Sequence, residues 1–420
     1  MSAIAVHDPK LQRWRVRVFA ATWLSYFGYY FCRKPFFITK GTLETQLGWD
    51  TEQLATLGVA FLGAYALGQF VASFVGDRVG PRLMLLVGMA VTIAANFAFG
   101  LTNNLGLFSA LMIVNGLAQG SGWSGNVGSM AAWFTRRQRG TVMGFWATNF
   151  QLGGVAANAL AAWALGKFGF QYAYFSGSVV LVTVWAFFLF NQRNRPEDVG
   201  LAPLDDPDEI PMEVDTKGRA RWPRQVIANV ALVGTFYFFM KFIRYALWSW
   251  APYLLQRHYG LEGKEAGFLS TTFDLAGFAG VIALGVLSDR LFRGRRAGLS
   301  MVFVLGMAGA CLALYALGST SIAVFTICIG LIGFTLYGPD AILTSAGAID
   351  VGSRAAATRA AGIINGMGSI GSVAQEVVLG KALKGGDVDL VFALLLGSAL
   401  CAAFCLALLL RRNRAGRADM

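Results

Sequence analysis

Residues 76–82 read Gly-Asp-Arg-Val-Gly-Pro-Arg and separate two long apolar stretches, and residues 288–290 repeat the start of this pattern as Ser-Asp-Arg between two further apolar stretches. The aspartates of the two signatures, Asp77 and Asp289, are 212 residues apart, about half of the 420-residue chain. Such an offset indicates an internal duplication in which each signature forms a short polar loop between hydrophobic segments.

The composition is that of an integral membrane protein. Hydrophobic residues make up 56% of the chain, charged residues only 14%, and the mean hydropathy is +0.55, values typical of membrane proteins rather than soluble ones. A transmembrane helix needs about 20 mostly apolar residues. We therefore predict an all-α membrane protein with twelve transmembrane helices, at residues 17–41, 53–75, 83–101, 105–133, 141–166, 171–191, 225–256, 265–287, 298–317, 320–347, 357–383 and 387–410.

One long hydrophilic stretch divides these segments into two sets of six. It covers residues 192–224, is rich in proline and contains an acidic run from Asp205 to Glu209. We predict an N-terminal six-helix bundle in residues 1–191, a cytoplasmic linker in residues 192–224 and a C-terminal six-helix bundle in residues 225–420.

Two further repeats support the duplication. Arg33 and Arg244 each interrupt an apolar stretch and are 211 residues apart, and the glycine pair Gly144 and Gly153 recurs at an offset of 218 as Gly362 and Gly371. Two pseudo-symmetric six-helix bundles related by an axis along the membrane normal define the major facilitator fold, whose substrate site lies between the halves near the bilayer midplane.

The basic residues predict the orientation of the chain in the membrane. With both termini in the cytoplasm, 25 of the 35 lysines and arginines fall in cytoplasmic segments, six in outer loops and four within or at the edge of helices. This asymmetry agrees with the positive-inside rule. It also explains the net charge of +12 without a nucleic-acid partner, so we expect the bilayer to be the only large partner and the protein to be a monomer.

The chain offers little material for a metal site or a catalytic centre. Its five cysteines all fall in predicted helices and lack metal-ligand spacing, and its two histidines, His7 and His258, lie in the N-terminal tail and an outer loop. Structural zinc sites and histidine-based catalytic groups need more than this. We expect no metal, no cofactor and no enzymatic activity.

The charges inside the apolar segments are the candidate site. Four bases lie there, Arg33, Lys34, Lys241 and Arg244, and each costs about 2.5 to 3.5 kcal/mol at the centre of a membrane helix, so such residues normally face a polar cavity. Tyr26 and Tyr30 precede Arg33 at spacings that return to the same helical face. An unpaired guanidinium binds a phosphate or carboxylate in a bidentate manner.

Two alternatives remain open for these charges. Because Pro35 follows closely, Arg33 and Lys34 could mark the outer end of a short first helix. The bases could also be neutralised by intramembrane acids, for which the candidates are Asp274, Asp340 and Glu376. Three acids against four bases still leave an excess of positive charge.

Four motifs stand out beyond the charges: Tyr29-Tyr30-Phe31-Cys32-Arg33-Lys34-Pro35-Phe36, the segment from Lys241 to Trp250, Asn115-Gly116 with Gly120, Gly122 and Trp123, and Tyr337-Gly338-Pro339. These motifs resemble those of the organophosphate:phosphate antiporters of the major facilitator superfamily, which exchange glycerol 3-phosphate or sugar phosphates for inorganic phosphate. The resemblance extends over essentially the whole chain.

The resemblance implies roles for particular residues. Arg33 and Arg244 would clasp the substrate phosphate from opposite halves, with Tyr26, Tyr30 and Trp123 in support. The loop signatures resemble the superfamily's cytoplasmic loop, in which acid and base bridge helix ends, so Asp77, Arg78, Asp289 and Arg290 would latch one conformation. We expect the protein to lie in a bacterial inner membrane.

The chain departs from the glycerol-3-phosphate transporter pattern in the remainder of the site. A histidine of that pattern is replaced by Phe150, flanked by Asn149 and Gln151, while Gln69 replaces a lysine and Lys241 replaces a tyrosine. Asp274 matches the acid that the family has in helix 8, and Asp340 has no assigned counterpart. The resemblance therefore predicts a conserved phosphate clamp beside an altered organic subsite, with Asp274, Asp340 and Glu376 as coupling residues.

We predict a secondary transporter that exchanges a phosphorylated organic metabolite for inorganic phosphate by rocker-switch alternating access. The metabolite would be of the sugar phosphate, glycerol 3-phosphate or phosphoglycerate type. Two alternatives stay open: a transporter-like membrane sensor of sugar phosphate, and a proton-coupled symporter of organic anions.

Overall fold

The computed structural model of the protein describes residues 8–204, 206, 222–261, 263–292, 296–384 and 387–416. These residues form sixteen α-helices joined by short turns. In chain order the helices are α1 (Pro9–Phe31), α2 (Lys34–Leu47), α3 (Thr51–Val79), α4 (Pro81–Phe99), α5 (Leu105–Gln119), α6 (Ser121–Ala131), α7 (Arg136–Trp146), α8 (Asn149–Phe168), α9 (Phe170–Asn191), α10 (Arg224–Tyr259), α11 (Gly263–Phe292), α12 (Arg296–Leu317), α13 (Ile322–Thr344), α14 (Ala346–Gly352), α15 (Ala357–Lys384) and α16 (Val388–Arg414).

Four of the predicted transmembrane segments consist of two helices that meet at a break. The pairs are α1 with α2, α5 with α6, α7 with α8, and α13 with α14, and joining them gives the twelve predicted segments. In the described residues, nine segments are long and apolar enough to cross a bilayer. The first, fifth and eleventh predicted segments fall outside this set because polar and charged residues lower their hydropathy. The predicted all-helical membrane fold is confirmed.

The break in the first segment places Arg33. The backbone N–H of Cys32 bonds back to Tyr29, and Pro35 lies in the first turn of α2. Proline suits a first helical turn but cannot continue the hydrogen bonds of a preceding helix, so Cys32 and Arg33 form a turn between α1 and α2. Because α2 continues for 14 residues, Arg33 does not mark the outer end of the segment.

Helices from the first and last parts of the chain pack against each other directly. Helix α15 packs on α3 and α6, and α11 packs on α7. The approach is close enough to require glycine, because a Cβ added to Gly144 would lie 3.1 Å from the Cα of Gly285 and one added to Gly362 would lie 2.5 Å from the Cβ of Ser73. The division at residues 192–224 stays a prediction, since residues 205 and 207–221 lie outside the described part of the chain.

These contacts close the end of the molecule that carries the loops at residues 76–82, 135–140 and 348–359, which we call the basic face. Arg139 of α7 pairs with Asp350 of α14 at 3.0 Å, and their side chains are only 1% and 0% exposed. Arg359 of α15 pairs with Asp77 of α3. Both ion pairs join helices that precede the predicted linker to helices that follow it.

Asp77 thus bridges two helix ends, as the loop signature predicts, but its partner is Arg359, which the sequence did not single out. Arg78, at the end of the same helix, is exposed. The side chains of Asp289 and Arg290 lie outside the described part of the structure, so the latch assigned to the second loop stays a prediction.

Candidate functional site

The guanidinium of Arg33 is held by neutral groups. Its Nε donates to Oε1 of Gln119 at 2.8 Å, and the guanidinium lies over the rings of Tyr30 and Tyr65, with its carbon 4.9 Å and 4.6 Å from the ring centres. Its Nη2 is buried and has no hydrogen-bond partner. In the described residues no carboxylate forms an ion pair with Arg33. A buried cation in this state is suited to receive an anionic ligand.

Gln119 and Tyr65 are the residues of this arrangement that sequence reasoning missed. Gln119 also donates to the carbonyl of Cys32 at 3.2 Å and to Oδ1 of Asn115 at 3.0 Å. These bonds fix the glutamine against the same break that places Arg33. A signal was available for Gln119, because it lies between Asn115 and Trp123 in a motif that the sequence analysis had recognised.

Arg244 differs from its symmetry mate because a carboxylate holds it. Its Nη1 lies 2.9 Å from Oδ2 of Asp340, with side chains 16% and 2% exposed. The guanidinium also lies over the rings of Phe150 and Tyr337, at 4.6 Å and 4.8 Å. The sequence predicts an unpaired guanidinium at this position, with neutralisation by an intramembrane acid as the alternative. For Arg244, the structure shows the alternative.

Lys241 is almost fully buried, at 4% exposure. Its ammonium donates to Oδ1 of Asn365 at 3.0 Å and to Oγ of Ser369 at 2.9 Å. The same hydroxyl accepts a hydrogen bond from Nε2 of Gln69 at 3.0 Å. Two positions that depart from the family pattern, Lys241 and Gln69, are therefore joined through Ser369, and this network connects α10, α15 and α3.

Lys34, which directly follows Arg33, contacts α8 and α10. Its ammonium is 4.6 Å from the ring centre of Trp248, and its Cε would be 3.8 Å from a Cβ built on Gly154. The sequence-predicted base therefore faces α8 and α10, where an anionic ligand could reach it.

Aromatic rings form a continuous wall beside the cations. The ring of Tyr26 lies 5.9 Å from Tyr30 and 5.3 Å from Trp123. Trp123 contacts Phe150, which stacks on Tyr337 at 6.1 Å, and its indole N–H donates to the carbonyl of Thr344 at 3.1 Å. The tyrosines and tryptophan predicted to support the site are thus assembled in one cluster.

The two amides flanking Phe150 begin α8. All four polar atoms of the Asn149 and Gln151 side chains are buried without a hydrogen-bond partner, and Asn149 is 0% exposed. Unpartnered buried amides are rare because each lost hydrogen bond costs about 1 to 3 kcal/mol. They are available to a polar ligand.

The other predicted coupling acids contact neutral groups. Asp274 accepts a hydrogen bond from the hydroxyl of Tyr337, and Glu376 accepts from Ser249 at 3.3 Å and from Gln375 at 2.7 Å. In the part of the chain that was searched, no group of three histidine, cysteine or acidic side chains could hold a metal ion.

The fold and this set of charges define the class. The chain belongs to the Major Facilitator Superfamily, whose family model matches residues 22–376, and a second match covers residues 230–419. It is an integral, multi-pass membrane protein and a secondary transporter rather than an enzyme.

Curated relatives narrow the resemblance. The chain is 26% identical to the "Probable hexose phosphate transport protein" of Chlamydia pneumoniae, over 89% of this chain and 86% of the relative. It is 27% identical to the "Glycerol-3-phosphate transporter" of Bacillus subtilis (strain 168), over 96% and 93%. It is 25% identical to the "Membrane sensor protein UhpC" of Escherichia coli (strain K12), over 90% and 88%. The resemblance to the organophosphate:phosphate antiporters is confirmed.

Solved structures share the fold at lower identity. The proton:xylose symporter XylE bound to 6-bromo-6-deoxy-D-glucose superposes with a TM-score of 0.74 at 12% identity, covering 94% of this chain and 95% of that one. The fucose:proton symporter FucP of E. coli gives 0.70 at 12% identity, covering 93% and 98%. At this identity the likeness concerns the fold alone.

Proposed function

We propose that this protein exchanges a phosphorylated organic metabolite for inorganic phosphate across the membrane by alternating access. The observation that carries the proposal is Arg33, a half-buried guanidinium with a buried, unpartnered Nη2, which contacts a neutral amide and two tyrosine rings in the described residues. Arg244, Lys241 and Lys34 add positive charge. A phosphate dianion matches this excess of charge, and an arginine fork matches its oxygens. The relatives' names, which include hexose phosphate and glycerol 3-phosphate, agree with this substrate class.

The charge balance gives a reason for exchange. Arg244 is paired with Asp340, whereas Arg33, Lys34 and Lys241 form no ion pair within the described residues. Two unit charges about 8 Å apart repel by about 2 kcal/mol at an effective dielectric near 20. A carrier that brings its halves together around the empty site meets this repulsion, and a dianionic phosphate removes it. Reorientation is therefore favoured only in the loaded state, which makes transport an exchange.

We assign the remaining parts by the same reasoning. Asn149 and Gln151 would bind the organic group, whose hydroxyl or carboxylate oxygens would satisfy the amides. Tyr26, Tyr30 and Trp123 would form the wall of the site. We place the protein as a monomer in a bacterial inner membrane, with the basic face and both termini in the cytoplasm, as the positive-inside pattern predicts.

Counterflow in proteoliposomes tests the proposal. Vesicles loaded with unlabelled phosphate should take up labelled phosphate, and glycerol 3-phosphate, phosphoglycerate and hexose 6-phosphate are then tested as competitors. Arg33→Lys and Arg244→Lys should each lower exchange about 10- to 100-fold, since a charge-assisted hydrogen bond contributes about 1.5 to 3 kcal/mol. Arg224→Lys, at the exposed start of α10, is the matched control. Near-normal exchange by either site variant would refute the clamp.

One relative favours a second candidate function. The similarity to a protein named as a membrane sensor extends over 90% of this chain, so the same site could report on a sugar phosphate instead of moving it. A sensor would bind a phosphorylated competitor in detergent but show no counterflow. Saturable exchange of labelled phosphate would exclude this reading.

A further inference from the structure

Asp340 is the one acid that contacts the arginine pair in the described residues. It follows Pro339 inside α13, and its carboxylate, 2% exposed, lies 2.9 Å from the Nη1 of Arg244. It therefore occupies a position where the proposed clamp would hold a phosphate oxygen. While this ion pair persists, a phosphate has only the remaining N–H groups of Arg244, and its negative charge would lie beside that of the carboxylate.

We propose that Asp340 is the resident anion of Arg244, that an incoming phosphate displaces it, and that Lys241 receives the displaced carboxylate. This inference rests on the proposed function. It makes Asp340 a specificity-determining residue for the exchange. An anion enters the site only if it binds Arg244 better than a carboxylate that the protein already holds there.

Lys241 is placed to receive the carboxylate. It lies one helical turn before Arg244 on α10, so the two bases share a face, and Asp340 interacts electrostatically with both. The ammonium has three donors, and two of them are used by Asn365 and Ser369. A displaced Asp340 would otherwise be a buried, unpaired charge, a state that destabilises by several kcal/mol.

The need to displace Asp340 favours substrates that carry more than one negative charge. A monoanionic carboxylate offers Arg244 no more than Asp340 does, and it leaves the resident carboxylate to be accommodated elsewhere. A phosphate dianion brings a second negative charge that Arg33 can share. The resident carboxylate therefore disfavours simple organic acids and admits phosphorylated ones.

The displacement of Asp340 from Arg244 to Lys241 also links the site to the packing of α15 against α3. Ser369, which binds Lys241, accepts the hydrogen bond from Gln69 of α3. If Lys241 turns toward Asp340, its bond to Ser369 weakens, and the network that joins α10 to α15 and α3 loses one of its links. Phosphate binding at Arg244 would in this way affect the interface between α15 and α3, which must open during transport.

Phosphate binding to the purified full-length protein, measured by isothermal titration calorimetry with inorganic phosphate as the probe, tests the proposal. Asp340→Asn should bind phosphate at least 10-fold more tightly, because the competitor is gone, and should bind acetate more tightly as well. Asp340→Glu, which keeps the carboxylate, should restore the affinity toward that of the unaltered protein. Asp387→Asn, which alters an exposed acid at the N-terminal end of α16, is the control for loss of an acid outside the site, and it should change the affinity less than 3-fold.

The results distinguish a failure of the proposed displacement from a failure of the proposed function. Equal or weaker binding by Asp340→Asn, when the unaltered protein does bind phosphate, overturns the displacement and reduces Asp340 to a residue that positions Arg244. Absence of phosphate binding in both proteins overturns the proposed function. If Asp340→Asn fails to fold, the infrared difference spectrum of the unaltered protein upon phosphate addition tests the displacement instead. A change in a carboxylate stretching band supports the displacement of Asp340, and an unchanged carboxylate region contradicts it.

Discussion

Removing the carboxylate of Asp350 should shift the protein away from the state closed at the basic face. Asp350 lies 3.0 Å from Arg139, and both side chains are almost fully buried. Asp350→Asn removes the carboxylate that faces the buried guanidinium of Arg139 in the closed state. When the basic face opens, water can solvate the same arginine, so the substitution destabilises the closed state selectively.

The size of the shift follows from the geometry. At 3.0 Å two unit charges interact by about 5 kcal/mol at an effective dielectric near 20, and breaking a buried ion pair costs about 3 to 5 kcal/mol in practice. Taking about 3 kcal/mol, the ratio of closed to open states should fall about 150-fold. A carrier that is about 99% closed would then become roughly evenly divided between the two states.

Distance measurement by double electron–electron resonance can detect this change. Spin labels at Val79→Cys in α3 and Arg224→Cys in α10, both exposed positions, report the separation at the basic face, with the exposed Cys401 replaced by serine. Asp350→Asn should add or enlarge a longer-distance population. The charge swap, Arg139→Asp with Asp350→Arg, should recover part of the short-distance population.

The matched control removes an acid from the same face without touching the pair. Asp198 is exposed and, within the described residues, accepts hydrogen bonds from the backbone N–H groups of Asn194 and Arg195, so Asp198→Asn should leave the distances unchanged. If Asp350→Asn and Asp198→Asn give the same distance distribution, the buried pair does not control closure and the reasoning is wrong.

Two further outcomes follow from the described contacts. Gly285→Val should block closure at the basic face and abolish counterflow, because an added Cβ already lies 3.1 Å from the backbone of Gly140 and from Gly144. The control, Gly166→Val, is at a position with open space and should transport normally. Normal counterflow by Gly285→Val would show that α7 and α11 need not approach this closely. Gln119→Leu should weaken phosphate binding about 10-fold, since the Nε of Arg33 loses its hydrogen-bond acceptor. Unchanged phosphate affinity in calorimetry would mean that the two tyrosine rings suffice to place the guanidinium.

Much of the architecture could be predicted from the sequence because it depends on local properties. Apolar runs of sufficient length can lower their free energy in a bilayer only as helices, and a duplicated chain repeats them at a constant offset. The cost of burying charge in a membrane likewise singled out Arg33, Lys34, Lys241 and Arg244 before their surroundings were known.

The partners of those charges could not be predicted, since they depend on how distant helices approach one another. The sequence offered three acids for four bases, and only the packing of α13 against α10 brings Asp340, rather than Asp274 or Glu376, to Arg244. The same holds for Gln119 beside Arg33 and for Arg359 beside Asp77.

The sequence by itself determined that this is an all-helical membrane protein with basic residues inside its apolar segments, because hydrophobic length and the energetic penalty of buried charge are properties of each segment alone. Only the tertiary structure decided that the two symmetry-related arginines are chemically unequal, one held by an amide and two rings, the other by a carboxylate. Arg244 and Asp340 pair at 2.9 Å although they are 96 positions apart in the chain, and that proximity is set by packing.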